Sequence, residues 1–472
     1  MRTILLLIFL CFNIPARAQN TFEKVIDTLG FGIANCVQET FDGGYILAGG
    51  TSANSGDAMV IKLDSLGTIE WVKQFTGPGV ENANYIEQTP DSGYIVNAMY
   101  DGGLNSKSSL LRLDANGDTL WTRVYSVGVG ATNVEIPNSL ASISNSIYGL
   151  TGYYQFSTQP PSSFMISSLS NGVLLNTKIY STFPFPNDSR SISSTIDGGF
   201  VMAGAIGTGP TSSDVLLIKT DAYGDTIWTK TYKQSQSNAG YDVKQTADSG
   251  FIIAGLTQNK LTFETNVYLV KTDSLGDTLW TKWYGDAVSC NLQSVFQTSD
   301  LGYVATGRIV NGSPLAGFMY LLKTDMFGDT IWSRQFGLGP ESYGRFVRQT
   351  KDGGFIISGV TFSTGTSAAY LIKVDSIGNV LTGLNTAELN NQFNFTIYPN
   401  PSLGKITVFI NGIQNYNAEL KIFNSINQCV YEGKINNNES RAINLMNLPS
   451  GLYIIRLQTK DGIVSRKFVI EK

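Results

Sequence analysis

One string governs what this chain can fold into. Asp-x-Gly followed by an aromatic and an aliphatic residue begins at Asp42, Asp91, Asp197, Asp248, Asp300 and Asp352. About twenty residues after each comes a second string, Lys-Leu-Asp-Ser-Leu-Gly from Lys62 in the first copy, with counterparts from Arg112, Lys219, Lys271, Lys323 and Lys373. Tryptophan follows at Trp71, Trp121, Trp228, Trp280 and Trp332. The gap between Asp91 and Asp197 holds a worn copy, Asn145-Ser146-Ile147-Tyr148-Gly149 and then Ser168-Leu169-Ser170-Asn171-Gly172. The period is about 52 residues and the reading is seven copies.

A single copy reads as four short strands. Tyr241–Gln245 is followed by the tight turn at Asp248-Ser249-Gly250, then Phe251–Gly255, a longer loop, and Val267–Thr272. A second glycine-containing turn at Asp273–Asp277 leads into Thr278–Trp283. Four antiparallel strands per copy predict an all-β fold, a seven-bladed β-propeller of four-stranded blades. A β-solenoid needs a shorter period, and sandwich domains need about 100 residues each. The last copy ends without a tryptophan strand. Phe22-Glu23-Lys24-Val25-Ile26 is similar to Trp280-Thr281-Lys282-Trp283-Tyr284, so the first strand is expected to complete the last blade and remove an open edge.

Composition narrows the chemistry. The chain has no histidine, which excludes Ser-His-Asp, Cys-His and histidine–metal mechanisms. The net charge of −4 gives no electrostatic footprint for nucleic acid. Residues 1–18 have Arg2, an apolar run from Ile4 to Phe12, and Ala16-Arg17-Ala18, the pattern of a secretory signal peptide. No later run is long and apolar enough for a transmembrane helix. The remaining cysteines, Cys36, Cys290 and Cys429, are too few and too far apart for a disulfide framework and are expected to be buried small hydrophobes.

The Asp-x-x-Gly…Trp string resembles the tryptophan-docking repeats of quinoprotein-like propellers. The resemblance implies indoles packed between adjacent blades; the metal and vicinal disulfide of the quinone site have no counterpart, and no cofactor is expected. A different resemblance covers residues 395–472. The opening Tyr398-Pro399-Asn400-Pro401, the strand with Gly451 and Tyr453, and the end Arg466-Lys467-Phe468-Val469-Ile470 are similar to the type A C-terminal sorting domain of the type IX secretion system. That resemblance implies a Bacteroidota-type bacterium, passage through the periplasm, the secretion machinery as partner, and a product that is secreted or displayed on the outer surface. The expected domains are the signal at 1–18, the propeller at 19–385, a linker at 386–394 and the sorting domain at 395–472. Asp-Ser/Thr-aliphatic triplets such as Asp64-Ser65-Leu66 and Asp277-Thr278-Leu279 are similar to the O-glycosylation sequon of the same bacterial group, and equally read as turn residues.

The two tight turns of each copy fall on one rim and the longer, variable loops on the other, where binding residues tend to sit. The worn third copy gained aromatics and prolines there. Tyr153, Tyr154, Phe156, Phe183 and Phe185 are therefore the candidate binding residues, with at least two rings expected to be exposed, for a glycan or protein ligand. The Asp-Ser-Leu-Gly-Asp turns fall short of a calcium loop, and no metal site is expected. No phosphate loop, Gly-x-Ser-x-Gly or Cys-x-x-Cys occurs. The expected function is a non-enzymatic, exported binding propeller. Two alternatives remain, a polysaccharide lyase or hydrolase, for which Asp188 and Asp242 form one non-repeated acid pair, and a structural part of a surface assembly. Acids or a Tyr/Arg pair at the mouth of the propeller channel would favour the enzyme.

Overall fold

The computed structural model describes residues 20–472 apart from 52–55, 77–79, 101–105, 128–133, 145, 156–159, 182–184, 210–211, 234–236, 259–264, 285–288, 312–315, 338–339, 363–365, 381–393, 412–416, 425–428, 437–439 and 460–461. The expected signal peptide, most of the expected linker, Phe156 and Phe183 lie outside the described residues. The chain divides into two units, Met1–Leu381 and Thr382–Lys472.

In the first unit each copy of the repeat forms a four-stranded antiparallel blade in sequence order. Phe31–Glu39, Tyr45–Thr51, Ala58–Leu63 and Ile69–Phe75 form one sheet, and Val80–Gln88, Tyr94–Tyr100, Lys107–Leu113 and Thr119–Tyr125 the next. The worn copy keeps the pattern with Val134–Ile143, Ile147–Gln155, Ser162–Leu169 and Leu174–Tyr180. Further on, neighbouring groups touch through single parallel bridges, Ser213 with Ser237 and Gly317 with Glu341. The copy made of Glu341–Gln349, Phe355–Phe362 and Ser367–Val374 receives its fourth strand from the chain start: Phe22–Ile26 runs antiparallel to Ser367–Val374, with Phe22 opposite Lys373. The first strands of successive copies pack side by side, and Phe31–Glu39 packs against Glu341–Gln349, so the ring closes with the first strands innermost.

Burial follows strand order. Tyr45–Leu47 and Ala58–Leu63 are buried on both faces, as strands sandwiched between neighbouring blades must be. The fourth strands are mixed and half exposed, and their lysines and threonines keep the outer edge from pairing.

Two devices recur. The first locks every blade except the worn third one. The buried cation that opens the second string reaches the aspartate of the first: Lys62 to Asp42 at 2.9 Å, Lys219 to Asp197 at 2.9 Å, Lys271 to Asp248 at 2.8 Å and Lys373 to Asp352 at 3.0 Å. The glycine in the turn makes room for it, since a Cβ on Gly44 would sit 2.6 Å from Lys62 Nζ. A threonine two residues before the aspartate donates to the same carboxylate, as Thr350 does to Asp352. Burial opposes ionisation of Asp42, but Thr40, Lys62 and the Gly44 N–H outweigh it and hold its pKa at about 2. The second device joins blades. Trp71 lies 6.0 Å from Tyr94, Trp228 5.8 Å from Phe251, Trp280 5.8 Å from Tyr303 and Trp332 5.8 Å from Phe355, all edge to face. Each indole also covers the positive-φ glycine of the next blade's second turn; a Cβ on Gly117 (φ +80°) would meet Trp71 at 2.7 Å. At the closure Phe22 takes the indole's place against Tyr45, with ring centroids 5.7 Å apart.

The second unit has a three-stranded sheet, Asn394–Tyr398, Lys405–Asn411 and Ser440–Asn444, and a four-stranded sheet ordered Cys429–Asn436, Asn417–Phe423, Gly451–Thr459 and Gly462–Ile470. They enclose a core that includes Phe395, Val408, Leu420, Ile455 and Phe468. Cys36 and Cys290 are buried as expected, but Cys429 is exposed, because it begins the edge strand of this sheet.

Candidate functional site

The innermost strands alternate between a face that packs into the blade and a face that lines the channel. Counting back from the threonine before each Asp-x-Gly turn, or from Ile143 in the worn copy, the third residue is aliphatic in every copy: Val37, Ile86, Leu140, Ile192, Val243, Val295 and Val347. The second residue is Gln38, Glu87, Ala141, Ser193, Lys244, Phe296 and Arg348. The fourth is Cys36, Tyr85, Ser139, Ser191, Asp242, Ser294 and Phe346. Of the last two sets, the first has a different residue in every blade and the second has serine in three, and they supply the layers of the channel nearest the tight-turn rim. A cavity of about 240 Å³ opens there, lined by Gln38, Tyr85, Glu87, Ser142, Lys244 and Arg348, with Leu140 and Ile192 on its apolar side.

Below the cavity the channel is held by one carboxylate. Asp242 Oδ1 accepts from Ser191 Oγ at 2.6 Å, Lys244 Nζ at 2.9 Å and the Val243 N–H at 2.9 Å. Its Oδ2 accepts from Ser294 Oγ at 3.1 Å and the Val295 N–H at 3.0 Å. Burial opposes the charge of Asp242, yet Lys244, Arg348 and these donors outweigh it and keep the carboxyl below its ordinary range. Burial also lowers the pKa of Lys244, against the pull of Asp242. Glu87 faces the same space and accepts from Ser142 Oγ at 2.7 Å; burial raises its pKa, while Arg348 and Lys244 work the other way.

Arg348 is the odd cation. It donates to the Val347 carbonyl at 2.8 Å and to Tyr85 Oη at 3.5 Å, and forms no ion pair among the described residues. Its guanidinium lies over Phe346 and Phe296, 4.0 Å and 5.1 Å from the ring centroids, which fixes its orientation. Tyr85 Oη also accepts from Gln38 Nε2 at 3.4 Å, and burial pushes the Tyr85 phenol well above its ordinary pKa. Cys36, deeper in the channel, is held as a thiol by burial, with its pKa pushed up to about 12.

Of the rim residues singled out in the sequence, Tyr153, Tyr154 and Phe185 are described, and none of these three lines the cavity. Tyr154 is fully buried among Tyr125, Leu140, Leu150 and Phe164, because strand alternation turns it into the blade. Tyr153 is half-buried and Phe185 is exposed. Asp188 and Asp242 each hold their own cation, Arg190 at 2.7 Å and Lys244 at 2.9 Å, so neither carboxylate is presented to the cavity as a reactive pair. The second-turn aspartates cap their turns: Asp273 Oδ1 accepts from the N–H of Leu275 at 2.9 Å and of Asp277 at 2.8 Å. No cluster of potential metal ligands occurs among the described residues. In the second unit Tyr398 is exposed, Tyr453 is buried and donates to the Pro449 carbonyl at 2.8 Å, and Asn400 Oδ1 accepts from the Val469 N–H at 2.9 Å. The opening Tyr-Pro-Asn-Pro segment is thus tied to the last strand.

The channel residues carry no repeated motif. Their signal in the sequence is a column of the repeat with a different residue in every copy, beside a column that stays aliphatic.

Residues 396–471 match the secretion system C-terminal sorting domain. No curated protein matches the chain. Among solved structures, a puromycin hydrolase is 10% identical with a TM-score of 0.47, the match covering 90% of this chain and 58% of the hydrolase. A fungal alcohol oxidase of the AA5 family, in complex with copper, is 11% identical with a TM-score of 0.43, over 95% of this chain and 100% of its own. A protein of unknown function from Dyadobacter fermentans is 10% identical with a TM-score of 0.42, over 76% of this chain and 100% of its own. The chain is an all-β propeller-type scaffold of four-stranded blades followed by a type IX sorting domain, which marks it for secretion or the cell surface. No described helix is long and apolar enough to cross a membrane.

Proposed function

We propose that this is an exported, non-enzymatic binding protein whose ligand enters the channel at the tight-turn rim. The observation that carries the reading is the cavity beside Arg348: an oriented cation without an ion-pair partner, in a closed scaffold whose other buried cations are locked to aspartates. The sorting domain supplies the route and the propeller the ligand site. The seven-bladed count, a propeller spanning 19–385, and cleavage of the signal after Ala18 belong to the same proposal.

Two experiments test it. Deleting residues 395–472 is expected to leave a folded propeller in the periplasm; truncated protein in the medium or on the cell surface contradicts the export role. A screen of the purified propeller against glycans and extracellular proteins is expected to give a ligand that competes with substitution at Arg348 rather than at Phe185.

A second reading has one observation in its favour. Tyr85, Arg348 and Glu87 meet at the channel mouth, the kind of grouping a polysaccharide lyase uses. In such a step a base takes the proton beside the sugar carboxylate, the glycosidic C–O bond breaks, and a C=C bond forms as the leaving oxygen is protonated. Burial holds the Tyr85 phenol protonated far above neutral pH, which favours binding over that chemistry. Incubation with acidic polysaccharides should give no ultraviolet absorbance from a new conjugated double bond.

A further inference from the structure

We infer that the cavity at the tight-turn end of the channel takes a small hydroxylated monocarboxylate, a sugar acid either free or at the end of a glycan, with its carboxylate on Arg348. The inference rests on the proposed reading that this mouth is a ligand site, and adds the ligand's chemistry.

Of the four charged groups at the mouth, Lys244 and Asp242 form an ion pair, while Arg348 and Glu87 form none among the described residues, so the mouth is neutral overall and each charged end of a ligand is placed by geometry. Lys244 is already paired with Asp242 at 2.9 Å, and Asp242 has five donors around it. Arg348 is left as the cavity's cation with no ion pair among the described residues, its guanidinium 4.0 Å from the Phe346 ring centroid. A planar guanidinium matches a carboxylate through two parallel hydrogen bonds. Glu87 stands across the same cavity and disfavours a phosphate or any second negative charge. An ammonium group is disfavoured in turn by Arg348 and Lys244, both of which act on Glu87 electrostatically. What Glu87, Gln38 and Ser142 accept or donate to without cost is a hydroxyl. Ala141, with Leu140 and Ile192 buried behind it, makes one side of the cavity apolar, which suits the C–H face of a ring. The volume of about 240 Å³ equals that of about eight water molecules, enough for one sugar unit and too small for a packed oligomer.

The test is calorimetric titration of the full mature chain with glucuronate, galacturonate, glucose and glutamate, and with a glucuronate-terminated oligosaccharide. Binding of a sugar acid, with glucose and glutamate silent, is the expected result. Arg348→Gln should weaken it about ten- to one-hundredfold with the melting temperature unchanged, while Phe185→Ala leaves it unchanged. Equal binding by the free acid and the oligosaccharide assigns the site to the terminal unit; binding by only one of them identifies the source. No sugar-acid binding at millimolar concentration, stronger binding of glutamate, or binding that ignores Arg348→Gln overturns the inference. If a broader screen then finds a ligand that Arg348→Gln does not affect, the binding reading stands and the channel site falls. A fold check by circular dichroism keeps loss of binding from being mistaken for loss of structure.

Discussion

The tight turns and the channel wall are built from the same repeat, a few residues apart, and they have opposite characters. In the turns, Asp352 and Lys373 do what Asp248 and Lys271 do, at nearly the same distance. Two residues before the threonine that precedes the turn, no two blades agree, and Glu87, Lys244 and Arg348 face one cavity. Repetition marks positions whose task is the same in every blade, which is holding the ring. Divergence marks positions released from that task. Even the third blade obeys the rule: it lost the lysine, with Ser167 in its place, together with the aspartate, so no buried charge is left without its partner.

That contrast breaks if framework and channel substitutions behave alike. The largest effect should come from Asp352→Ala, which leaves the fully buried Lys373 unpaired and should cost about 3–5 kcal/mol in chemical unfolding. Trp280→Ala should cost about 3 kcal/mol by emptying the interblade contact with Tyr303 and Gly328, read from the denaturation midpoint. Acid sharpens the comparison. Asp42, Asp197, Asp248, Asp300 and Asp352 all have folded pKa values below the ordinary 3.8, so their contribution is complete above about pH 4 and is lost as pH falls through the folded values, near 2 for Asp42. Melting temperature should fall steeply between about pH 4 and pH 2, and a flat profile there contradicts the locks. Arg348→Gln should have the smallest effect, under about 1 kcal/mol, because it removes no buried ion pair.

Much of the fold was legible because period, turn chemistry and edge logic agree. Asp-x-Gly needs a tight turn, the tryptophan needs a covering surface, and a chain lacking its last outer strand must find one, which placed Phe22–Ile26 on Ser367–Val374. The union of the two strings was not legible: nothing in spacing alone says that Lys62 folds back onto Asp42, since that contact depends on strand pairing across the blade. The site was harder. Tyr154 looked like a loop aromatic, yet it ends a strand whose alternation turns it inward. Arg348 belongs to no repeated motif, and only ring closure brings it opposite Glu87 and Lys244.

The central claim, that the repeated positions hold the ring and the unrepeated channel positions bind, is tested most directly by the ligand-induced shift in stability of the wild type and Arg348→Gln side by side. A sugar acid at one hundred times its dissociation constant should stabilise the wild type by about 2.7 kcal/mol. At the same concentration it should stabilise the variant far less, while the unliganded proteins unfold together. Equal stabilisation of both proteins, or an unliganded variant as unstable as Asp352→Ala, would contradict the claim.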